Sequence, residues 1–98
     1  MIKKIEHIGI AVKDLGKSEI LFEKLLGAEM YKREVVESEG VITSFFKIAD
    51  QKIELLCASN EDSSIKKFIE NRKEGIHHIA LHVDRGSNNL VCDPKFTI

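Results

Sequence analysis

The sequence predicts an α+β fold: one β-α-β-β-β module, a connecting helix, and a strand that restarts the module. Three observations predict it. Residues 2–12 alternate in the strand period. After Asp14 the apolar positions change to a roughly helical spacing. Finally, the strand around His7 is nearly rewritten around His78, at an offset of 71 residues. That offset also aligns Ile8 with Ile79, Gly9 with Ala80, Ile10 with Leu81 and Val12 with Val83.

The first strand places Ile5, His7, Gly9 and Ala11 on one face and Glu6, Ile8, Ile10 and Val12 on the other. Asp14 is an N-cap candidate, and "LGKSEILFEKLLG" reads as an amphipathic helix with Gly27 as its C-cap. Its expected apolar stripe is Leu15, Ile20, Leu21, Leu25 and Leu26. "AEMYKREVVESEG", "VITSFFKIA" and "QKIELLCA" read as an antiparallel meander, with turns near Gly40 and Asp50. A capping signal at Asp62-Ser63-Ser64 opens a short helix over about Ser64–Arg72, and "IHHIALHV" is the next strand. Beyond Asp84, Gly86, Ser87, Asn88 and Asn89 are turn formers. "LVCD" is short for a strand, and Pro94 interrupts the residues after it.

The 98 residues suggest a single domain, 1–98, with a first module over 1–60. The connecting helix and restarted strand occupy 61–84, and 85–98 is an atypical tail. At 43% hydrophobic and 32% charged the composition is ordinary for a globular chain. With 15 basic and 16 acidic residues and no basic run interleaved with aromatics, neither nucleic acid nor membrane is an expected partner. Cys57 and Cys92 lack metal or redox spacing; Cys57 reads as a core residue and Cys92 as a tail residue. The chain opens "MIKKIEH", without a signal-peptide pattern, and the expected location is cytoplasmic.

His7 and His78 fall on the strand faces lined by small residues, Gly9 and Ala11 in one strand and Ala80 in the other. Glu54 lies opposite the apolar face Ile53-Leu55-Cys57 of its own strand. Two imidazoles and a carboxylate make a divalent-metal set, for which zinc, cobalt, nickel or iron are suitable ions. The alternative for each histidine is a hydrogen-bonded structural role. By alternation His77 belongs to the opposite, helix-covered face, and His82 stands at a strand end.

"IEHIGIAVKDL", "KIELL" and "EDSSIKKFIENRKEGIHHIALHVD" together resemble methylmalonyl-CoA epimerases of the glyoxalase/bleomycin-resistance/extradiol-dioxygenase (vicinal oxygen chelate) superfamily. The resemblance covers residues 1 to about 84, and its specific part is the run Glu61–Asp84. It implies paired βαβββ modules around a metal site with His7, Glu54 and His78 as ligands. The implied cofactor is a divalent ion: cobalt, nickel, manganese or zinc. The implied reaction is epimerisation of methylmalonyl-CoA, an acyl-CoA thioester, through a metal-stabilised enolate. One base of the family lies in the loop aligned with "VESEGV"; its usual Glu falls on Ser38, leaving Glu39 or Glu37 as the substitutes. A fourth ligand, a Glu on the last strand of the second module, has no counterpart here. The second module is thus expected to be represented by one strand. A truncated product, a fragment, and a homodimer whose partner supplies the missing walls are the three explanations. A glyoxalase I-type isomerase or lyase, and a non-catalytic binding domain of the same fold, are the alternative functions.

Overall fold

The computed structural model describes residues 2–84 and 90–96. β1 (Ile2–Ala11) leads into α1 (Leu15–Leu26), followed by the meander β2 (Lys32–Val36), β3 (Val41–Ile48) and β4 (Gln51–Ala58). α2 (Ser64–Arg72) returns the chain to β5 (Gly75–Asp84), and β6 (Leu90–Phe96) comes last. The six strands form one sheet in the order β2-β3-β4-β1-β5-β6. The fold is α+β, as the sequence predicts.

The caps stand where the sequence marks them. The Asp14 carboxylate accepts from the Lys17 amide at 3.0 Å, and Gly27 closes α1 at φ 65°, a left-handed conformation that glycine adopts without steric cost. Ser63 caps α2 by accepting from the Ile65 amide at 3.1 Å.

β1 is central to the site. It runs parallel to β4, with Gly9 opposite Glu54, and antiparallel to β5, with His7 opposite Ala80 and Gly9 opposite His78. The two copies of the repeated strand therefore pair with each other. Ile8 faces Ile79, so the 71-residue repeat is also a local two-fold centred on that pair.

Each face of the sheet has its own core. On one, Val12, Leu15, Phe46, Leu55 and Cys57 pack with Phe22 and Leu26 of α1. On the other, Ala11, Val41, Leu56 and Ile65 pack with Phe68 and Ile69 of α2. Fully burying a side chain such as Phe46 or Leu55 contributes roughly 1.5–3 kcal/mol.

Two expectations are corrected. The inward stripe of α1 is Leu15, Glu19, Phe22 and Leu26, while Ile20, Leu21 and Leu25 are exposed. Glu19 takes the inward position because the Arg33 guanidinium and the Ser44 hydroxyl both donate to its carboxylate. Desolvation pushes that carboxyl up, but these hydrogen bonds outweigh it and hold Glu19 below the usual range.

The second correction concerns the tail. Leu90–Phe96 is a strand paired with β5, and Cys92 stands opposite His82 within it. Pro94 is accommodated because β6 is an edge strand and the register shifts there, between the pairs Ile79–Phe96 and Leu81–Asp93. The turn expected at Gly86, Ser87, Asn88 and Asn89 lies outside the described residues. Among the described residues no helix is long and apolar enough to cross a membrane.

Candidate metal centre

Three strands bring the candidate ligands together. His7 comes from β1, Glu54 from β4 and His78 from β5. Each offers one donor atom, and these lie within 4.8 Å of one another. The Nε2 atoms of His7 and His78 are 2.9 Å apart, with the rings edge to face. The Glu54 carboxylate stands 3.5 Å from His7 Nδ1.

The approach of His78 depends on Gly9. The imidazole lies directly over that glycine, where any Cβ would collide with the ring. The small residue noted in the sequence is thus the seat of the opposite histidine. The constraint is one of space, since Gly9 is not among the residues with positive φ.

His77 departs from the expectation. The sequence period assigns it to the far face, yet it lines the same cavity as His78, and the Nδ1 atoms of the two rings are 2.9 Å apart. The reason is a β-bulge. Gly9 pairs with His78 and Ile10 with Ile76, so His77 is an extra residue in β5 and escapes the two-residue alternation. Its ring packs edge-on against Phe68 of α2 at 4.9 Å.

Glu6 is not among the candidates that the sequence marks. It is the extra residue of a matching bulge in β1, between the pairs Ile5–Leu81 and His7–Ala80. Its Oε1 is 2.5 Å from His7 Nδ1, and Lys52 Nζ is 3.1 Å from its Oε2. No local sequence signal points to it, because the bulge arises only when β1 meets β5.

The electrostatics separate the two carboxylates. Burial pushes the Glu54 carboxyl up, against the opposing pull of His7. Desolvation also raises Glu6, but hydrogen bonds to His7 and Lys52 outweigh it and hold that carboxyl low. Burial, with His7 and His77 alongside, drops His78 to about 4, and burial lowers His77. His77 and His78 are therefore neutral near pH 7, the form in which imidazole binds metals.

This donor set fits a divalent cation. One ion could take both imidazole nitrogens when these stand within roughly 3.5 Å of each other, since each bond is about 2.0–2.1 Å. The observed separation is 2.9 Å. A cation would also relieve the desolvated Glu54 carboxylate.

The cluster opens into a cavity of about 350 Å³. Val36, Val41, Phe45 and Leu56 supply its apolar wall, and Glu34 and Glu39 stand on the same lining. Glu39 ends a 3-10 turn, Glu37–Glu39, at the β2–β3 corner. Glu37 begins that turn and is not among the lining residues.

A sheet of this order with a His-Glu-His set on one face defines a vicinal-oxygen-chelate type of protein. The family model for the Glyoxalase/Bleomycin resistance protein/Dioxygenase superfamily matches residues 6–90, and the chain belongs to that superfamily. Within it the chain is similar to methylmalonyl-CoA epimerases. It is 34% identical over 93 residues to the mitochondrial methylmalonyl-CoA epimerase of Homo sapiens, covering 94% of this chain and 52% of that one. It is 38% identical over 85 residues to the ethylmalonyl-CoA/methylmalonyl-CoA epimerase of Cereibacter sphaeroides, covering 86% and 63%. A solved structure of a single-residue variant of Streptomyces coelicolor methylmalonyl-CoA epimerase in complex with 2-nitronate-propionyl-CoA superimposes with a TM-score of 0.77 at 34% identity, covering 85% of this chain and 64% of that one. The chain thus spans between about half and two thirds of the length of these relatives.

Proposed function

We propose that the chain carries the ligand-bearing part of a metal-dependent epimerase acting on methylmalonyl-CoA. The observation that supports this most directly is the convergence of His7, Glu54 and His78 in the lining of a cavity with an apolar wall. In this reading the module 1–60 contributes His7 and Glu54, and residues 61–84 bring in His78.

The reaction exchanges the proton at C2, which lies between the thioester carbonyl and the carboxylate of the substrate. His7, Glu54 and His78 would hold a cobalt, nickel, manganese or zinc ion, which when bound would supply Lewis-acid stabilisation for the developing negative charge. The remaining work falls to side chains of the chain itself. Glu39 is the base on this wall, since it lines the cavity and Glu37 does not. Val36, Val41, Phe45 and Leu56 exclude water from the reacting carbon, which strengthens each charge interaction there. A second copy of the chain closes the open side of the cavity. The reading also puts the protein in the cytoplasm, where the buried Cys57 stays a thiol.

Incubation with methylmalonyl-CoA in deuterated water tests the proposal. Exchange at C2 is expected with added cobalt, with loss on chelation and in Glu39→Gln. Folded protein that exchanges nothing with cobalt, nickel, manganese or zinc overturns it. Turnover of the hemithioacetal of glutathione and methylglyoxal in its place reassigns the chain to glyoxalase-type chemistry.

A further inference from the structure

The two central histidines are each preceded by a residue that the sheet displaces. Glu6 is the extra residue of β1 and His77 the extra residue of β5. The offset that aligns His7 with His78 also aligns Glu6 with His77. An inserted residue leaves the alternation and can re-aim its side chain towards a neighbour. Here both reach the Nδ1 atom of the next histidine in the chain, Glu6 Oε1 at 2.5 Å and His77 Nδ1 at 2.9 Å. Lys52 Nζ, at 3.1 Å from Glu6 Oε2, secures the carboxylate from β4. Phe68 holds the His77 ring from α2.

We propose that Glu6 and His77 are a matched pair of positioning residues that aim the Nε2 atoms of His7 and His78 at one point, and that they act unequally. Glu6 sets the tautomer of His7 permanently; His77 adjusts its own tautomer when an ion enters. This rests on reading His7 and His78 as ligands.

The inequality comes from hydrogen-bond direction. An ionised carboxylate only accepts, so His7 carries its proton on Nδ1 and leaves Nε2 as an acceptor. His78 Nε2–H then donates across the 2.9 Å gap to His7 Nε2. That leaves His78 Nδ1 as an acceptor, and His77 Nδ1–H donates to it. The chain of donors has one direction, from His77 through His78 and His7 to Glu6. Binding an ion between the Nε2 atoms requires no change at His7. At His78 the proton must leave Nε2 and appear on Nδ1, which then donates to His77. His77 must accept there and carry its own proton on Nε2. One proton passes from His77 to His78 along the Nδ1–Nδ1 contact, and solvent water carries the His78 Nε2 proton to His77 Nε2, so the pair holds two protons before and two after and none is taken up or released in net. A carboxylate in place of His77 would fix His78 in the ligand form. An imidazole allows both forms, and so permits His78 either to pair with His7 or to act as a ligand.

The test uses the whole protein with 15N-labelled histidine, first metal-free and then with zinc as the diamagnetic probe. Long-range 1H–15N spectra are expected to show His7 as the Nδ1–H tautomer in both states. His78 and His77 are expected to exchange tautomers on zinc addition. In Glu6→Gln the side chain offers a donor as well as an acceptor. His7 is then expected to lose its single tautomer, and zinc affinity to fall about 10- to 100-fold by calorimetry. Glu6→Asp is expected to restore the Nδ1–H form. His77→Phe keeps the packing on Phe68 and is expected to lower zinc affinity without altering the His7 tautomer. An Nε2–H His7 in the wild type, or a Glu6→Gln protein with unchanged tautomer and affinity, overturns the proposal. A wild type that shows these tautomers yet binds no divalent ion overturns the ligand reading alone and supports the hydrogen-bond chain.

Discussion

At the scale of single residues, the site depends on contacts that one atom can undo. Gly9 is the clearest case. Gly9→Ala is expected to displace the His78 ring, cost about 1–3 kcal/mol of stability and weaken divalent-ion binding. Urea unfolding and calorimetry on the same samples check both. Gly16 is the contrast, since its Cβ would meet only the Asp14 carboxylate at 3.7 Å. Gly16→Ala is expected to be neutral or stabilising by up to about 1 kcal/mol. His78 carries a second prediction. Unfolded, it takes up a proton near 6.5; folded among His7 of β1, His77 of β5 and Glu54 of β4, it does so only near 4. Between those values the unfolded chain binds more protons, so the metal-free protein loses stability as pH falls from 6.5 to 4. His77, lowered by burial, contributes with the same sign. Urea midpoints across that range are expected to fall for the wild type and to fall less for His78→Gln.

At the scale of elements, α1 shows how a polar contact overrides an apolar pattern. By composition, Ile20, Leu21 and Leu25 are the natural residues to face the sheet. They are 59%, 52% and 67% exposed, and Glu19 is buried instead. The stripe Leu15-Glu19-Phe22-Leu26 is itself helical in spacing, so periodicity alone does not choose between them. The donors that decide, Arg33 on β2 and Ser44 on β3, are distant in sequence. Glu19→Ala is expected to cost about 1–3 kcal/mol, because it strips charge-assisted hydrogen bonds from a buried position. Leu25→Ser on the same helix is expected to change stability by no more than about 0.5 kcal/mol. Equal losses in a thermal melt would reverse the assignment of faces.

At the scale of the whole molecule, the repeat pairs with itself and brings two distant histidines to 2.9 Å. The cavity beside them has one wall from the meander and one end closed by α2, through Ser64 and Ile65. A homodimer is expected to complete it. Sedimentation velocity at micromolar concentration is expected to give a species of twice the 11.1 kDa chain mass. A monomer that still exchanges the C2 proton would show that one copy suffices.

Element order, caps and the pairing of His7 with His78 in the repeat are legible because they are local or periodic. Asp14, Gly27 and Ser63 each act within a few residues of their own position. The candidates His7, Glu54 and His78 are legible because alternation assigns them to faces, and the sheet brings those faces together. Alternation misplaces His77, leaves Glu6 unmarked and undervalues β6 for one shared reason. A bulge, or an edge that admits a proline, exists only in the register between two strands. By itself the sequence determined the fold class and which residue types were available on each strand. Only the tertiary structure decided which side chains leave the alternation, because that is set by how strands far apart in the chain align when they pair.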